Sequence, residues 1–590
     1  MTTQEILAQA IADHRSGKTA EAMALYRKVL EHDPDQVDAL RLLGVCQLHA
    51  GQGAEAEALL RRALGAAPNN PKIHDNWALV LRGLGRKDEA RAASRRAVEL
   101  APNEPTILIN LVQFELQAGN VDAAIDLLQH ILTIQPDAVE ARYQLAETYE
   151  HMGDAVSAIR ESQAVAARAP EQPQIGRKLI LDLCLADGDD GSRVAEAAKA
   201  WHRRFAAPLR PARPSFTNDL DPERPLRVGF IGGGQLRAHT LTRTLLPIVA
   251  AHDASSFKLH AYSDLERDQE DQVSAAFKTH VTWQNTGALS DEAFVERVRQ
   301  DRIDVLIDPV AFVPGTRFLA LARRAAPIQI SFPPMTTCGG DTIDYIVADR
   351  FMLPPEAERH VAERVLRVPF GMCQVPHFPL PPTGPLPARA AGGAITFGVT
   401  NKLIKCSDRA LKLWKTILDR VPRSRLLIKA AEFRYAGATS AMTRRLAACG
   451  IGAERVKFGS WTDGWAEHMA VYNRIDVALD AMPFASVTTT FDALLMGVPV
   501  VTRVGTRILD RYSYSILMAA GVEDGIAFSD DDYVERAVAL ASDLDRLERW
   551  RSTLRQQVLS SPACSGASQA RSLQEAIRGA WRDWCKTQRS

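Results

Sequence analysis

The amino-acid sequence predicts an α + α/β protein, a helical-repeat α-solenoid followed by two lobes that are each a doubly wound parallel sheet. Three observations carry that expectation. A fixed 34-residue period runs through the first 170 residues. From residue 226 onward short apolar runs alternate with amphipathic stretches, and a proline-rich joint near residue 380 divides the alternation in two. At 590 residues the chain also exceeds what a single hydrophobic core organises.

The period is marked by three residue types. Gly17, Gly51, Gly85, Gly119 and Gly153 are each 34 residues apart. Five residues after each glycine stands an alanine (Ala22, Ala56, Ala90, Ala124, Ala158), and seventeen after it a proline (Pro34, Pro68, Pro102, Pro136, Pro170). A glycine ends the first helix of a pair, where a positive φ is cheap. The alanine lets two helices approach closely, and the proline stands where no further backbone donor is needed. A plain helical bundle would not hold one register through five copies. The pattern resembles the tetratricopeptide repeat, and the resemblance implies five repeats over residues 1–170 and a concave, peptide-binding groove. Residues 171–225 read as a helical cap and a linker, with prolines at 208, 211, 214, 222 and 225.

In the first lobe, residues 226–385, the runs Leu226–Gly232, Phe257–Ser263, Ile303–Asp308, Ile328–Phe332 and Tyr345–Ala348 read as strands, and Asp291–Gln300 as a helix. The joint runs from Pro379 to Pro387. In the second lobe, residues 386–590 with C-terminal helices, Ala394–Val399, Arg425–Lys429, Val456–Phe458, Val477–Leu479 and Val498–Thr502 read as strands. Two such Rossmann-like lobes leave a cleft at the carboxyl ends of their strands, where ligands bind in this kind of fold. That arrangement resembles the glycosyltransferase-B (GT-B) fold.

Composition narrows the partners. Acidic and basic side chains balance at 71 each, which points away from nucleic acid and from an anionic membrane. The eight cysteines include no CxxC pair, which favours reduced thiols over a disulfide frame or a zinc site. The opening Met-Thr-Thr-Gln-Glu lacks the parts of a signal peptide, and no apolar run approaches the roughly 20 residues that cross a bilayer. A cytoplasmic protein is expected. Asp219-Leu-Asp221 is an Asp-x-Asp in the linker, and none closes a strand in either lobe, so a metal-dependent site is not expected.

In the second lobe Phe397-Gly-Val-Thr-Asn-Lys-Leu-Ile-Lys405 is similar to the Phe-Gly-Ser-Phe-Asn-Asn-Leu-x-Lys segment of glycosyltransferase family 41, which includes the tetratricopeptide-bearing O-linked N-acetylglucosamine transferases. Asp476-Val-Ala-Leu-Asp480 and Thr488-Thr-Thr-Phe-Asp-Ala-Leu-Leu-Met-Gly-Val-Pro-Val500 resemble its strand–loop–helix segment. The resemblance implies an inverting, metal-independent enzyme with no permanently bound cofactor. Its donor would be a nucleotide sugar, and its acceptor a protein held by the repeats. Lys405 would neutralise the departing phosphate. Thr488, Thr489 and Thr490 open a helix whose free donors suit a phosphate; simple N-capping, which is compatible with phosphate binding, is the alternative. Asn401, His468 (packing on the base), Asp492 (on ribose hydroxyls) and Arg511 complete the implied nucleotide-sugar site; His468 and Arg511 also read as ordinary surface and structural residues. Nine residues before each repeat glycine stand Ala8, Leu42, Asn76, Asn110 and Gln144. A carboxamide donates and accepts, so Asn76, Asn110 and Gln144 match a family ladder that grips the acceptor backbone; polar residues merely solvating a groove are the alternative.

The first lobe departs from the family. Gly229-Phe-Ile-Gly-Gly-Gly-Gln-Leu-Arg-Ala-His239 resembles its first strand and histidine-bearing loop, is one residue longer than the common bacterial form and lacks the aspartate. His239 is the match for the loop histidine, a base or acceptor contact, or a loop residue without chemistry. Ala311-Phe312-Val313 stands where the family has Gly-His-Thr, and Pro334-Met-Thr-Thr-Cys-Gly-Gly340 where it has Gly-Tyr-Pro-Gly-Thr-Thr-Gly. The nucleotide half is kept and the sugar half rebuilt. A donor other than N-acetylglucosamine is therefore expected; the layout also resembles bacterial proteins that glycosylate flagellin, and that resemblance implies a protein O-glycosyltransferase acting on Ser/Thr, with flagellin as acceptor and a CMP-nonulosonic acid as donor, whose carboxylate Arg237 or Arg503 would meet. A UDP-N-acetylglucosamine donor, an inert repeat-bearing binding protein or chaperone, and a transferase for a small molecule or lipid are the alternatives.

Overall fold

The computed structural model describes residues 1–309, 311–313, 315–459, 461–462 and 464–589. They form two compact units, Met1–Thr148 with Tyr435–Ala438, and Tyr149–Arg434 with Thr439 onward.

In the first unit helices of 13 and 14 residues alternate, from Thr3–Arg15 and Thr19–His32 to Pro105–Gln117 and Val121–Ile134. The periodic glycines do what the sequence asks of them: Gly17, Gly51, Gly85 and Gly119 hold φ between +76° and +81° at the turn inside each pair. Ala22, Ala56, Ala90 and Ala124 are fully buried where the paired helices touch.

The second unit begins with the end of the fifth repeat. Its turn at Gly153 is followed by helix Ala155–Arg168 and by cap helices Pro173–Leu183 and Ser192–Trp201. Trp201 seats the cap on the first lobe, its ring 5.3 Å from Phe312 and 5.5 Å from Phe318.

The first lobe is a seven-stranded sheet, all parallel, built from β1 (Leu226–Gly233), β2 (Phe257–Ser263), β3 (Thr282–Asn285), β4 (Val305–Asp308), β5 (Ile328–Ser331), β6 (Tyr345–Ala348) and β7 (Arg364–Arg367). Their order is β3-β2-β1-β4-β5-β6-β7. The second is six-stranded, from β8 (Thr396–Val399), β9 (Arg425–Lys429), β10 (Val456–Gly459), β11 (Val477–Leu479), β12 (Val500–Arg503) and β13 (Ile526–Ala527), in the order β10-β9-β8-β11-β12-β13. Central strands such as β4, β5 and β8 are buried at every residue, because helices cover both faces.

Sequence reading missed three strands, β3, β7 and β13, each at a sheet edge. β3 and β7 are exposed at both ends and half-buried between, so they lack the apolar run that marks a central strand. Helix Gly566–Arg589 returns to the first lobe, where Trp581 is fully buried with Arg224 4.9 Å over its ring. Among the described residues no helix is long and apolar enough to cross a membrane.

Candidate active site

The sheet order reverses between β8 and β11 in the second lobe, the place where strand ends open a crevice. Asp480 stands directly after β11 and organises the loop that leads from it. One carboxylate oxygen accepts from the N–H of Ala481 (2.9 Å) and Ser486 (3.0 Å), the other from Thr502 Oγ1 (2.7 Å). Ser486 then donates its hydroxyl to Asn401 Oδ1 at 2.7 Å, tying the loop after β11 to the loop after β8. Asn401 is thus buried and acts first as a spacer of these two loops. Lys405 ends the short turn Leu403–Lys405, with Nζ 3.6 Å from the centre of the Phe484 ring. Lost hydration brings its pKa down from 10.5 to about 8, with Asp480 pulling it up and Lys402 pushing it down. The site therefore holds a cation that water shields poorly.

Helix Thr488–Leu495 starts directly after this loop. Val487 precedes it and no side chain caps it, so the simple N-capping alternative for the threonines fails and the positive end of the helix stays open. Thr488 and Thr489 are half-buried, and Tyr472 donates its hydroxyl to the Thr489 carbonyl at 3.4 Å. Thr490 corrects the expectation: it turns inward, 2.8 Å from Ser513 Oγ, because the third residue of a helix faces its core side here.

A polar chain runs beside the helix. Lys429, at the end of β9, donates to Thr462 Oγ1 (2.9 Å) and to His468 Nδ1 (2.7 Å). An ammonium only donates, so Nδ1 accepts and the ring proton sits on Nε2, which lies 3.5 Å from Asp492 Oδ2. Burial lowers the Lys429 pKa, and Asp492 opposes the shift. The expected free carboxylate of Asp492 is instead ion-paired: its Oδ1 lies 2.8 Å from Nη2 of Arg243, on helix Thr242–Ala250 of the first lobe. Arg243 also lies 5.1 Å over the ring of Trp465.

On the first-lobe side Gly233 takes φ +49° with Gly315 O 3.1 Å from where a Cβ would stand, so the loop after β1 needs glycine there. His239 is exposed; its Nδ1 accepts from the N–H of Leu241 at 3.2 Å. Its pKa is lowered by partial loss of water and then by Arg237 and by Lys402 of the second lobe. Pro334–Gly340 serves packing: Tyr512 donates to the Pro334 carbonyl, and Gly339, at φ +78°, lies against the backbone of Ala198 in the cap.

Arg511 is structural, donating to the carbonyls of Phe351 (2.6 Å) and Gly505 (2.8 Å). Arg503 is likewise engaged, with Asp530 at 3.4 Å. In the repeats Asn76 is half-buried, Asn110 donates to both oxygens of Asp75 at 3.0 Å, and Gln144 accepts from Gln113 and donates to Glu140. Sequence reading missed Lys429, Phe484, Trp465 and Arg243. Lys429 carried a usable signal, a charged residue closing an apolar strand; Arg243 carried none. Among the described residues no group of three or more His, Cys, Asp and Glu side chains is placed to hold a metal ion.

Residues 387–572 match glycosyl transferase family 41, and residues 14–75, 76–138 and 115–179 match tetratricopeptide repeats. A tomato (Solanum lycopersicum) protein named "Probable UDP-N-acetylglucosamine--peptide N-acetylglucosaminyltransferase SPINDLY" is 30% identical over 424 residues, 70% of this chain and 45% of its own length. The rice (Oryza sativa subsp. japonica) protein of that name is 31% identical over 424 residues, with the same coverage. The chain thus spans about half the length of the curated relatives it matches. The solved structure of a lysine-to-methionine mutant of the Thermobaculum terrenum O-GlcNAc transferase matches with a TM-score of 0.70 at 29% identity, covering 94% of this chain and 99% of that one.

Proposed function

From a chain that joins tetratricopeptide repeats to a glycosyl transferase family 41 domain, we propose a protein O-glycosyltransferase that moves a sugar from a nucleotide to Ser or Thr of a protein acceptor. The observation that carries the reading is the pairing of Lys405, poorly hydrated over Phe484, with the uncapped start of helix Thr488–Leu495 at the switch point of the second sheet. Breaking a sugar–phosphate bond leaves negative charge on the nucleotide. A fixed ammonium and open backbone donors in a water-poor site stabilise that charge without a metal. The acceptor hydroxyl attacks the anomeric carbon from the opposite side, inverting it, and loses its proton to His239 or to solvent. His239 fits a base in that its lowered pKa leaves the ring neutral near pH 7. The carboxamides of Asn76, Asn110 and Gln144 present groups suited to an extended peptide, which is how the repeats would hold the acceptor.

The names of the relatives point to UDP-N-acetylglucosamine as donor. A CMP-nonulosonic acid donor, with flagellin as acceptor, is the second reading. It is favoured by Ala311–Val313 and Pro334–Gly340, which depart from the family's sugar side, and by Arg237 and Lys402, exposed beside His239. Mass spectrometry of a Ser/Thr-bearing acceptor incubated with each donor tests both readings. Transfer from one donor is expected; no transfer from any UDP- or CMP-sugar, with neither nucleotide raising Tm, overturns the enzymatic reading.

A further inference from the structure

We infer that one face of helix Pro105–Gln117 binds the edge of an extended stretch of the acceptor polypeptide, the carboxamide oxygens of Asn110 and Gln113 each accepting a backbone N–H. Asp75 and Glu140 are the positioning residues that keep those oxygens open. The inference rests on the reading above that the repeats hold the acceptor. Asn110 and Gln113 are three positions apart on one helix, so they share a face with Cβ atoms about 5–6 Å apart, and both are half-buried.

Their amide orientations are set by the repeats on either side. Asn110 Nδ2 donates to both oxygens of Asp75 at 3.0 Å, and Asp75, on helix Pro71–Gly83, is only 7% exposed. Burial raises the Asp75 pKa to about 6, with Asn110 and Arg41 opposing the rise, so the group is a carboxylate at pH 7. A carboxylate only accepts. The Asn110 nitrogen must therefore face it, and both its N–H bonds are spent there. Gln113 Nε2 donates to Gln144 Oε1 at 2.9 Å, and Gln144 Nε2 donates in turn to Glu140 Oε1 at 2.8 Å, both on helix Val139–Met152. What stays open is Asn110 Oδ1 and Gln113 Oε1, which accept from no group among the described residues.

Free carboxamides would meet N–H and C=O groups alike, whereas two open oxygens select donors. Their spacing selects an extended chain. Such a chain rises about 3.3 Å per residue and turns every second N–H to the same edge, so these donors recur at about 6.6 Å. Two side chains rooted about 5–6 Å apart reach both. A phosphate or carboxylate brings no donor and is repelled by Asp75 and Glu140, so phosphorylated and acidic segments are excluded.

The test is transfer kinetics of the full-length protein on a synthetic peptide spanning the Ser or Thr that is modified in its acceptor, and on a set of such peptides with one backbone N–H methylated in each. Two methylations, two residues apart, are each expected to raise KM about fivefold or more with kcat unchanged. Asn110→Leu is expected to bring the penalty at one of those positions within about twofold, and Gln113→Leu the penalty at the other. Asp75→Asn keeps the side-chain shape but lets the Asn110 amide turn, so it is expected to reduce the same penalty as Asn110→Leu; it keeps the test open should a leucine variant not fold. Loss of a merely structural residue would raise KM for every peptide alike and leave the methylation pattern unmoved. The absence of a sensitive pair, an unmoved pattern in the folded variants, or a peptide ignored while the intact acceptor is modified overturns the inference and leaves the transferase standing. A wild type that passes sugar to no acceptor removes the proposed function and this inference with it.

Discussion

At Lys405 the proposed chemistry turns on one proton. The fold disfavours its charged form, since the pKa falls from 10.5 to about 8. The ammonium is the form that neutralises a leaving phosphate, so activity is present below that value and lost as pH rises through it. The expected kcat/KM is flat up to about pH 7.5 and then drops roughly tenfold per pH unit above about 8; a flat profile to pH 9.5 would detach Lys405 from the chemistry. Lys405→Met removes a cation that the fold holds unwillingly. Transfer is expected to fall about a hundredfold or more while Tm at pH 7 stays level or rises. A variant that keeps its transfer rate would defeat the assignment, and one that simply unfolds would show the lysine to be structural.

Among the elements, the turn at Gly153 and the turn that carries Lys405 are mutually dependent. Gly153 holds φ +76°, and a Cβ there would stand 2.9 Å from the Leu403 carbonyl oxygen and 3.0 Å from its carbon. Arg445 adds a bond to the Gly153 carbonyl at 2.7 Å. Gly17 occupies the same place in the first repeat with φ +81° and nothing within 4 Å. Gly17→Ala should cost only the left-handed backbone penalty, about 1 kcal/mol by denaturant titration, with transfer unchanged. Gly153→Ala must also push Leu403, so a larger loss of stability and a several-fold loss of transfer are expected. Equal effects at the two glycines would show that the fifth turn does not position Lys405. The element pattern was largely legible beforehand: helix Asp291–Gln300 and strands β2, β6, β9 and β11 lie where periodicity put them, within ends of one or two residues elsewhere. Edge strands β3 and β7 escaped because a strand exposed along one side has no continuous apolar run to reveal it.

For the whole molecule the proposal assigns two tasks to different residues, peptide holding to the repeats and bond breaking to the lobes. Changing Asn76, Asn110 and Gln144 together to Ala should therefore raise the KM for a protein acceptor about tenfold and leave the nucleotide-induced rise in Tm as in the wild type. Loss of the nucleotide response would mean that the repeats do more than hold the acceptor. By itself the sequence determined the repeat register, the two doubly wound lobes, and the presence of Lys405 and of a helix beginning at Thr488. The register and the lobes follow from local rules, glycine at a positive φ and the apolar period, whereas Lys405 and Thr488 are picked out by resemblance to glycosyltransferase family 41. Only the tertiary structure decided which side chains are free to act. Thr490 was spent on Ser513, Arg511 on two carbonyls and Asp492 on Arg243, while Phe484 was brought under Lys405. Apart from Gly505, six positions from Arg511, those partners lie from 23 to about 250 positions away in the chain, and such pairings arise from packing, which no local pattern of residues encodes.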